Sequence, residues 1–263
     1  MQRLIITTVV VGLIAGLLVG GFHNLFTVPV MERAIALEEE RSAAETGAAP
    51  AGGEEAPLVS LGMQRVGMTV GTGIYGAILG LVFAGGYVML RRIGPHWGYL
   101  PLALVVGALG FWAISLFPFI KYPLNPPGVG DPGTLVYRQG FQTLFMLLSV
   151  VGAAGLLLGI NRVKATTPEI SRRMRLYVMV FLAYGVFALI IVFAIPGNPD
   201  PVPVPIDLLE LFRTLTMVGQ FLQWALLAVG VALALTWYSR SEKTTADNRA
   251  TATSGRSSGT PTS

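Results

Sequence analysis

Cysteine is absent from this chain of 263 residues, and charged residues make up only 12% of it. The lack of cysteine excludes disulfides, thiolate metal sites and cysteine nucleophiles. A soluble domain carries about 25% charged residues, so the low charge argues against a water-soluble fold. Acids, lysines and arginines are also missing from the interior of the long apolar runs, where proton-coupled carriers and voltage sensors usually place ionisable groups.

Six long apolar runs occupy most of the chain. Each is long enough to cross about 30 Å of hydrocarbon as a helix, and none alternates as the strands of a barrel do. The sequence therefore predicts an all-α integral membrane protein, a bundle of about six transmembrane helices with Pro-rich extracytoplasmic loops. The transmembrane domain covers residues 1–238, with spans near 4–25, 66–90, 99–118, 137–160, 173–195 and 208–238.

Basic residues are distributed unevenly between the two sides of this predicted bundle. With a cytoplasmic N-terminus, 12 of the 18 basic residues lie inside, whereas 11 of the 14 acids lie outside. The positive-inside rule counts the basic residues, and five of them lie in the short loop 161–175. We therefore predict a multi-pass protein of the cell membrane with both termini cytoplasmic. Its expected partners include the lipid bilayer and exclude nucleic acid.

Two segments outside the spans have the composition of flexible chain. Residues 43–57 are rich in alanine, glycine and glutamate and predict a flexible extracytoplasmic linker. Ahead of this linker, residues 31–44 could extend the first helix out of the membrane. The tail 239–263 is rich in serine, threonine and alanine, which predicts a disordered cytoplasmic segment.

A proline-rich stretch, Pro118–Arg138, separates the third span from the fourth, and its prolines suggest a stiff lid or brace over the bundle. Asp131 and Pro132 offer an N-cap and a first helical residue for the fourth span. Asp207 and Glu210 have the spacing of a capping box at the sixth span. The residues with predicted structural roles in loops and at helix starts are Asn125, Pro126, Pro127, Asp131, Pro132, Asp207 and Glu210.

Glycines recur four residues apart within several spans, which lets helix backbones approach closely. The pattern favours tight packing within one bundle, with homo-oligomerisation as the alternative. The glycines concerned are Gly12, Gly16, Gly20, Gly67, Gly71, Gly76, Gly80, Gly155 and Gly159.

Few side chains in the sequence could bind a metal ion. His23 and Asn24 lie near the outer end of the first span, and Glu32 follows them. A neutral imidazole with oxygen donors would suit a divalent transition metal such as cobalt or nickel. The alternative, which a lone histidine favours, is a hydrogen bond between helices or at the membrane interface.

Three glutamines, Gln142, Gln220 and Gln223, are neutral polar groups within the fourth and sixth spans. They could line a path through the bundle or join helices by hydrogen bonds. No hydrolase, zinc-protease or phosphate-loop motif occurs. The letters of Gly71–Gly76 match a dinucleotide fingerprint but lie inside an apolar span. We therefore predict that the protein is not an enzyme and has no permanently bound cofactor.

The stretch FIKYPLNPPGVGDP, followed by Tyr137 and Arg138, resembles the CbtA family of probable cobalt transporter subunits. The N-terminal GLIAGLLVGGFHNLFTVPVMERAIALEEE is similar to the opening helix of that family. The resemblance covers most of residues 1–235. It implies a membrane subunit of a cobalt uptake system linked to cobalamin supply, with Co²⁺ as the transported substrate.

The same resemblance implies a partner of the CbtB type, a small membrane protein with a histidine-rich end. The present chain contains only two histidines, which agrees with such a division of labour. A second hypothesis is a non-transporting membrane scaffold or assembly protein. It is favoured by the lack of ionisable groups within the spans and by the faces of small residues.

Overall fold

The computed structural model describes residues 1–46, 61–93, 96–126, 132–200, 202 and 204–257. Within these ranges the chain is helical and contains no β-strand. The α-helices are α1 (Gln2–Phe22), α2 (Val28–Thr46), α3 (Leu61–Ile93), α4 (Tyr99–Gly110), α5 (Phe117–Lys121), α6 (Leu135–Thr166), α7 (Ile170–Ala194) and α8 (Ile206–Ser257). A first π turn, His23–Thr27, joins α1 to α2, and a second π turn, Phe111–Leu116, joins α4 to α5.

Six helical segments of the described chain are long and apolar enough to cross a membrane. They are Gln2–Leu37, Gly62–Ile93, Tyr99–Lys121, Leu135–Thr166, Ile170–Ala194 and Ile206–Glu242. Each predicted span lies on one of them, so the prediction of an all-α membrane protein with about six transmembrane helices is confirmed. The first helix continues through α2, as the sequence suggested for residues 31–44.

Helices α1 and α3 pack backbone to backbone along a row of small residues. A Cβ atom on Gly12 would lie 2.2 Å from the carbonyl oxygen of Gly76, and one on Gly80 would lie 2.2 Å from that of Thr8. Gly16 continues the row, because its Cβ would lie 2.3 Å from a carbonyl oxygen of α3. Small residues at these positions therefore allow the close helix contact that the spacing predicted.

Some of the glycines that were predicted to pack against another helix do not contact one. A Cβ atom on Gly67, Gly71 or Gly155 would have no neighbouring atom within 4 Å. Gly159 does meet another helix, since its Cβ would lie 2.9 Å from the side chain of Val180 in α7. A spacing of four residues marks one face of a helix, but it does not determine whether another helix covers that face.

An apolar core lies between α3, α4 and α8, beside the glycine row. Its most deeply buried members include Phe83, Leu102, Trp224 and Leu227, each no more than 2% exposed. Helices α1, α3, α4 and α8 thus form the central bundle, and α8 contacts both α1 and α4.

Helices α6 and α7 form a hairpin at the edge of this bundle. Phe117, Tyr122 and Phe145 cluster with Ile191 and Ile195, which joins the hairpin to α5. Most other large apolar side chains of α7 are exposed. In a membrane protein such a face is suited to lipid, because hydrocarbon is as apolar as these side chains.

Polar contacts hold the two ends of the α6–α7 hairpin together. The Asp200 carboxylate, 5% exposed, accepts a hydrogen bond from the Thr134 hydroxyl at 2.6 Å and pairs with Nε of Arg138 at 3.0 Å. Thr134 precedes α6 and Asp200 follows α7, so these contacts close the open end of the hairpin. The Tyr122 hydroxyl donates to the carbonyl of Pro196, and burial raises the pKa of this phenol.

We expect Asp200→Asn to lower the free energy of unfolding by about 2–3 kcal/mol, because it removes the negative charge that pairs with the largely buried guanidinium of Arg138. Thermal unfolding of the purified protein in detergent would measure the loss. Glu32→Gln is the matched control, since the Glu32–Arg65 pair is about half exposed and such pairs contribute only about 0–1 kcal/mol. Equal losses in the two variants would contradict this account of the hairpin.

The start of α6 differs from the predicted one. Pro132 opens a short 3₁₀ turn, and α6 begins at Leu135 with Thr134 in the N-cap position. Asp131, the predicted cap, lies outside the described residues. The helix therefore starts about one turn later than the Asp131–Pro132 pair indicated.

The start of α8 also lies at a different residue. The helix begins at Ile206, so Asp207 is already in the first turn. Asp207 and Glu210 therefore do not have the positions of the predicted capping box, in which Asp207 would be the N-cap residue just before the helix. Its carboxylate is nevertheless near the positive end of the helix dipole, and Glu210 is exposed.

The proline-rich stretch is fastened to α8 by one arginine. Nε of Arg213 donates to the carbonyl of Leu124 at 3.1 Å, and Nη2 donates to Oδ1 of Asn125 at 2.8 Å. Pro126 is buried, and Pro127 lies outside the described residues. Arg213 thus holds the described part of this loop against the bundle.

The two segments predicted to be flexible lie partly outside the described residues. The linker 43–57 overlaps α2 only up to Thr46. The helix α8 does not end near residue 238 but continues to Ser257, because no proline interrupts this stretch and alanine, lysine and arginine favour a helix. The disordered tail stays a prediction for residues 258–263.

Candidate functional site

Both π turns precede a proline. Pro29 has no backbone N–H, and its ring crowds the carbonyl four residues earlier, which lies in the first π turn. Pro118 has the same relation to the second π turn. The helix widens in response, so that the N–H of Val28 donates to the carbonyl of His23, five residues back. Such turns are frequent at functional sites, and both contact α8.

The first π turn positions His23, which is 8% exposed. Its Nδ1 lies 2.8 Å from the hydroxyl oxygen of Thr27, at the end of the same turn. The other side of the ring meets Gly219 of α8, where a Cβ atom would lie 2.4 Å from Cε1 and 2.5 Å from Nε2. The imidazole is therefore enclosed between its own turn and α8, and Gly219 leaves the space that the ring occupies.

Asn24 and Glu32 face a different neighbour. Nδ2 of Asn24 donates to the Thr69 hydroxyl at 2.7 Å and to the carbonyl of Arg65 at 3.1 Å. The Glu32 carboxylate accepts from Nη2 of Arg65 at 3.0 Å. Both side chains therefore contact the beginning of α3.

The three candidate metal ligands do not share one neighbour. His23 meets α8 and Asn24 meets α3, since successive residues of a helix point in directions about 100° apart. Within the part of the chain that the structure describes, no group of three or more His, Cys, Asp or Glu side chains could hold a metal ion. Oδ1 of Asn24 is buried without a hydrogen-bond partner. A metal site at His23, Asn24 and Glu32 stays a prediction.

The second π turn contributes Ser115 to a polar cluster on α8. The Ser115 hydroxyl donates to Oε1 of Gln220 at 2.9 Å and accepts from Nε1 of Trp224 at 3.1 Å. Gly110 provides space for the indole, because a Cβ atom there would lie 2.2 Å from the Trp224 ring. The carboxamide of Gln220 is thus engaged in joining α8 to the second π turn.

Gln223 follows Gln220 on the inner side of α8. It is 1% exposed, and both polar atoms of its carboxamide are buried without a hydrogen-bond partner. Its Nε2 would lie 3.0 Å from a Cβ atom on Gly76 of α3. Gln142 is half-buried in α6, and none of the hydrogen bonds of Gln220 or Ser115 involves it.

The sequence did not single out Thr27, Ser115 or Gly219, although each contacts a candidate side chain. It also did not single out Trp224, which donates a hydrogen bond to Ser115. One local signal could have found the two π turns, namely Pro29 and Pro118 within otherwise continuous apolar helices. No local signal pairs Gly219 with His23, because that contact joins residues far apart in the chain.

These features define a polytopic helical membrane protein whose central bundle holds neutral polar side chains on the inner side of α8. The chain belongs to the CbtA family, described as "Probable cobalt transporter subunit", whose family model matches residues 1–236. The match includes both π turns and all six membrane-capable segments, apart from the last residues of α8. Comparisons with curated proteins and with solved structures give no match.

Proposed function

We propose that this chain is the membrane subunit of a Co²⁺ uptake system that supplies cobalt for cobalamin synthesis. The observation that carries the proposal is the match to the CbtA family over residues 1–236. The residues around α8 support it, because imidazole nitrogen and carboxamide oxygen are neutral ligands that a divalent transition metal accepts.

Neutral ligands are suited to passage of an ion rather than to its retention. Conduction requires binding that is favourable enough for entry and weak enough for release. His23, Gln220 and Gln223 offer nitrogen and oxygen atoms without a fixed charge. Glu32 and Glu40 of α2 would raise the local concentration of cations near the entrance, where Asn24 also lies.

The proposed orientation places that entrance outside the cell. Six spans put both termini on one side, and the excess of basic residues in loop 161–175 favours a cytoplasmic location for that side. We therefore propose a protein of the cell membrane in which the first π turn and the start of α3 face the exterior. The Pro-rich stretch tied to Arg213 would lie on the same outer side.

A second subunit fits the composition of this chain. Tight capture of Co²⁺ calls for several imidazoles, because histidine is the commonest metal ligand, and this chain contains only two histidines. We propose that a small membrane protein of the CbtB type, with a histidine-rich end, delivers the ion. The present chain would then supply the route through the bilayer.

A second candidate function is that of a non-transporting scaffold that assembles such a partner. The observation favouring it is the contact between α1 and α3, where Gly12 and Gly76 leave no space between the two backbones. A scaffold would contribute helix surfaces without an ion route of its own.

Radioactive cobalt uptake would distinguish the two functions in cells that lack other cobalt importers. We expect uptake when the chain and its histidine-rich partner are expressed together, and much less when either is expressed alone. Uptake by the partner alone that equals uptake by the pair would favour the scaffold. Uptake that stays at the level of the empty cells would contradict the cobalt proposal altogether.

A further inference from the structure

Gln223 is the one glutamine of α8 whose carboxamide has no partner, although it is 1% exposed. Buried polar groups of native proteins are nearly always hydrogen-bonded, and an exception calls for an explanation such as a water or an ion. The oxygen of the neighbouring Gln220, by contrast, accepts a hydrogen bond from Ser115. The carboxamide of Gln223 is therefore the group for which an additional partner must be sought.

The carboxamide of Gln223 lies beside the contact between α1 and α3. Gly76 of α3 lies against Nε2, and Gly76 also meets the backbone of Gly12 in α1. Any larger residue at Gly76 would occupy the space of the carboxamide. Gly76 of α3 is thus next to both the backbone of α1 and the carboxamide of Gln223.

His23 packs against α8 at a point one helical turn away from Gln223, on the same face of that helix. Its ring packs on Gly219, and residues four apart on a helix are neighbours on one face. The imidazole of His23 and the carboxamide of Gln223 are therefore two successive neutral ligands for a cation along the inner side of α8. Thr27 extends this row through its contact with Nδ1 of His23.

Building on the cobalt uptake proposed above, we propose that Gln223 is a binding station for a divalent cation inside the bundle. A cation released from His23 would be bound next by Oε1 of Gln223, directly or through one of its waters. A carboxamide oxygen is a neutral ligand, so it replaces part of the hydration shell without trapping the ion.

The variant Gln223→Leu separates this role from a structural one. Leucine has a similar size and no polar atoms, so removal of the unpartnered carboxamide is expected to leave the melting temperature unchanged or to raise it. Cobalt uptake per molecule of protein is expected to fall about tenfold or more, as for the loss of a group that supports metal binding. Gln223→Met provides a second apolar variant if the leucine variant does not fold.

Two substitutions on the same helix serve as comparisons. Gln220→Leu breaks the bond to Ser115 and is expected to lower the melting temperature, unlike Gln223→Leu. Thr214→Val alters an exposed side chain of α8 and is expected to leave both uptake and melting temperature unchanged. Full uptake by Gln223→Leu would overturn the station, whereas absence of uptake by the wild-type protein would contradict the proposed function instead.

A binding measurement keeps the inference testable in that second case. Co²⁺ added to the purified wild-type protein is expected to raise its melting temperature more than Mg²⁺ does, and Gln223→Leu is expected to make the rise with Co²⁺ smaller, leaving the part that His23 contributes. Binding to the folded state stabilises it by mass action. A Co²⁺-dependent rise that is the same in both proteins, or absent from the wild type, would overturn the station.

Discussion

The substitution Gly76→Ala is expected to destabilise the protein by about 3 kcal/mol or more, the upper part of the range for overpacked sites. The added Cβ would lie 2.1 Å from the carbonyl oxygen of Gly12 and 3.0 Å from Nε2 of Gln223. A backbone atom cannot rotate away as a flexible side chain can, so α1 and α3 would have to separate. Thermal unfolding in detergent and the yield of monodisperse protein would measure the effect.

Gly71→Ala is the matched control for this prediction. Gly71 lies in the same helix, but a Cβ atom there would meet nothing within 4 Å. Alanine also has a higher helix propensity than glycine, so the control is expected to melt at the wild-type temperature or slightly above it. If the two variants melted at the same temperature, the contact between α1 and α3 would not have the geometry described.

The second large effect is expected from His23→Ala, which should lower cobalt uptake about tenfold or more if the imidazole binds the ion in transit. The structure places this ring between the first π turn and Gly219, so its removal also leaves a small cavity. Uptake must therefore be expressed per molecule of folded protein in the membrane. The measurement is the initial rate of radioactive cobalt uptake with the partner subunit present.

His96→Ala provides the control, because His96 is the other histidine of the chain and is exposed in the connection between α3 and α4. This variant is expected to keep the wild-type rate. Gly219→Ala tests the same site from α8, since its methyl group would displace the His23 ring without removing it. Unchanged uptake by His23→Ala would return His23 to a role in helix packing.

The architecture could be predicted largely from the sequence because membrane spans are coded locally. An apolar run of sufficient length must form a helix in hydrocarbon, and each of the predicted spans lies on a membrane-capable helix. Glycine spacing likewise marked Gly12 and Gly76 as positions of close helix packing, without indicating that α1 would meet α3 there. It could not distinguish these positions from Gly71 or Gly155, because the spacing describes one helix and the contact needs two.

The candidate site was less accessible to sequence reasoning. His23, Gln220 and Gln223 were found because a polar residue within a long apolar run is conspicuous. The grouping of His23 with Asn24 and Glu32 followed proximity in the chain, whereas the structure turns His23 to α8 and Asn24 to α3. The pairing of Asp200 with Arg138 was missed because it joins the start of α6 to the chain that follows α7, and these residues are far apart in the sequence.

Transport of Co²⁺ into lipid vesicles tests the central claim most directly. Purified chain and its histidine-rich partner would be reconstituted together, separately and not at all, with Co²⁺ added outside and a metal-sensitive dye enclosed. We predict that Co²⁺ enters vesicles containing both proteins faster than it enters any of the other vesicles. The variant Gln223→Leu is predicted to abolish this increase in the rate of entry. Entry at the rate of protein-free vesicles, or equal entry with the partner alone, would contradict the assignment of this chain as the route for cobalt.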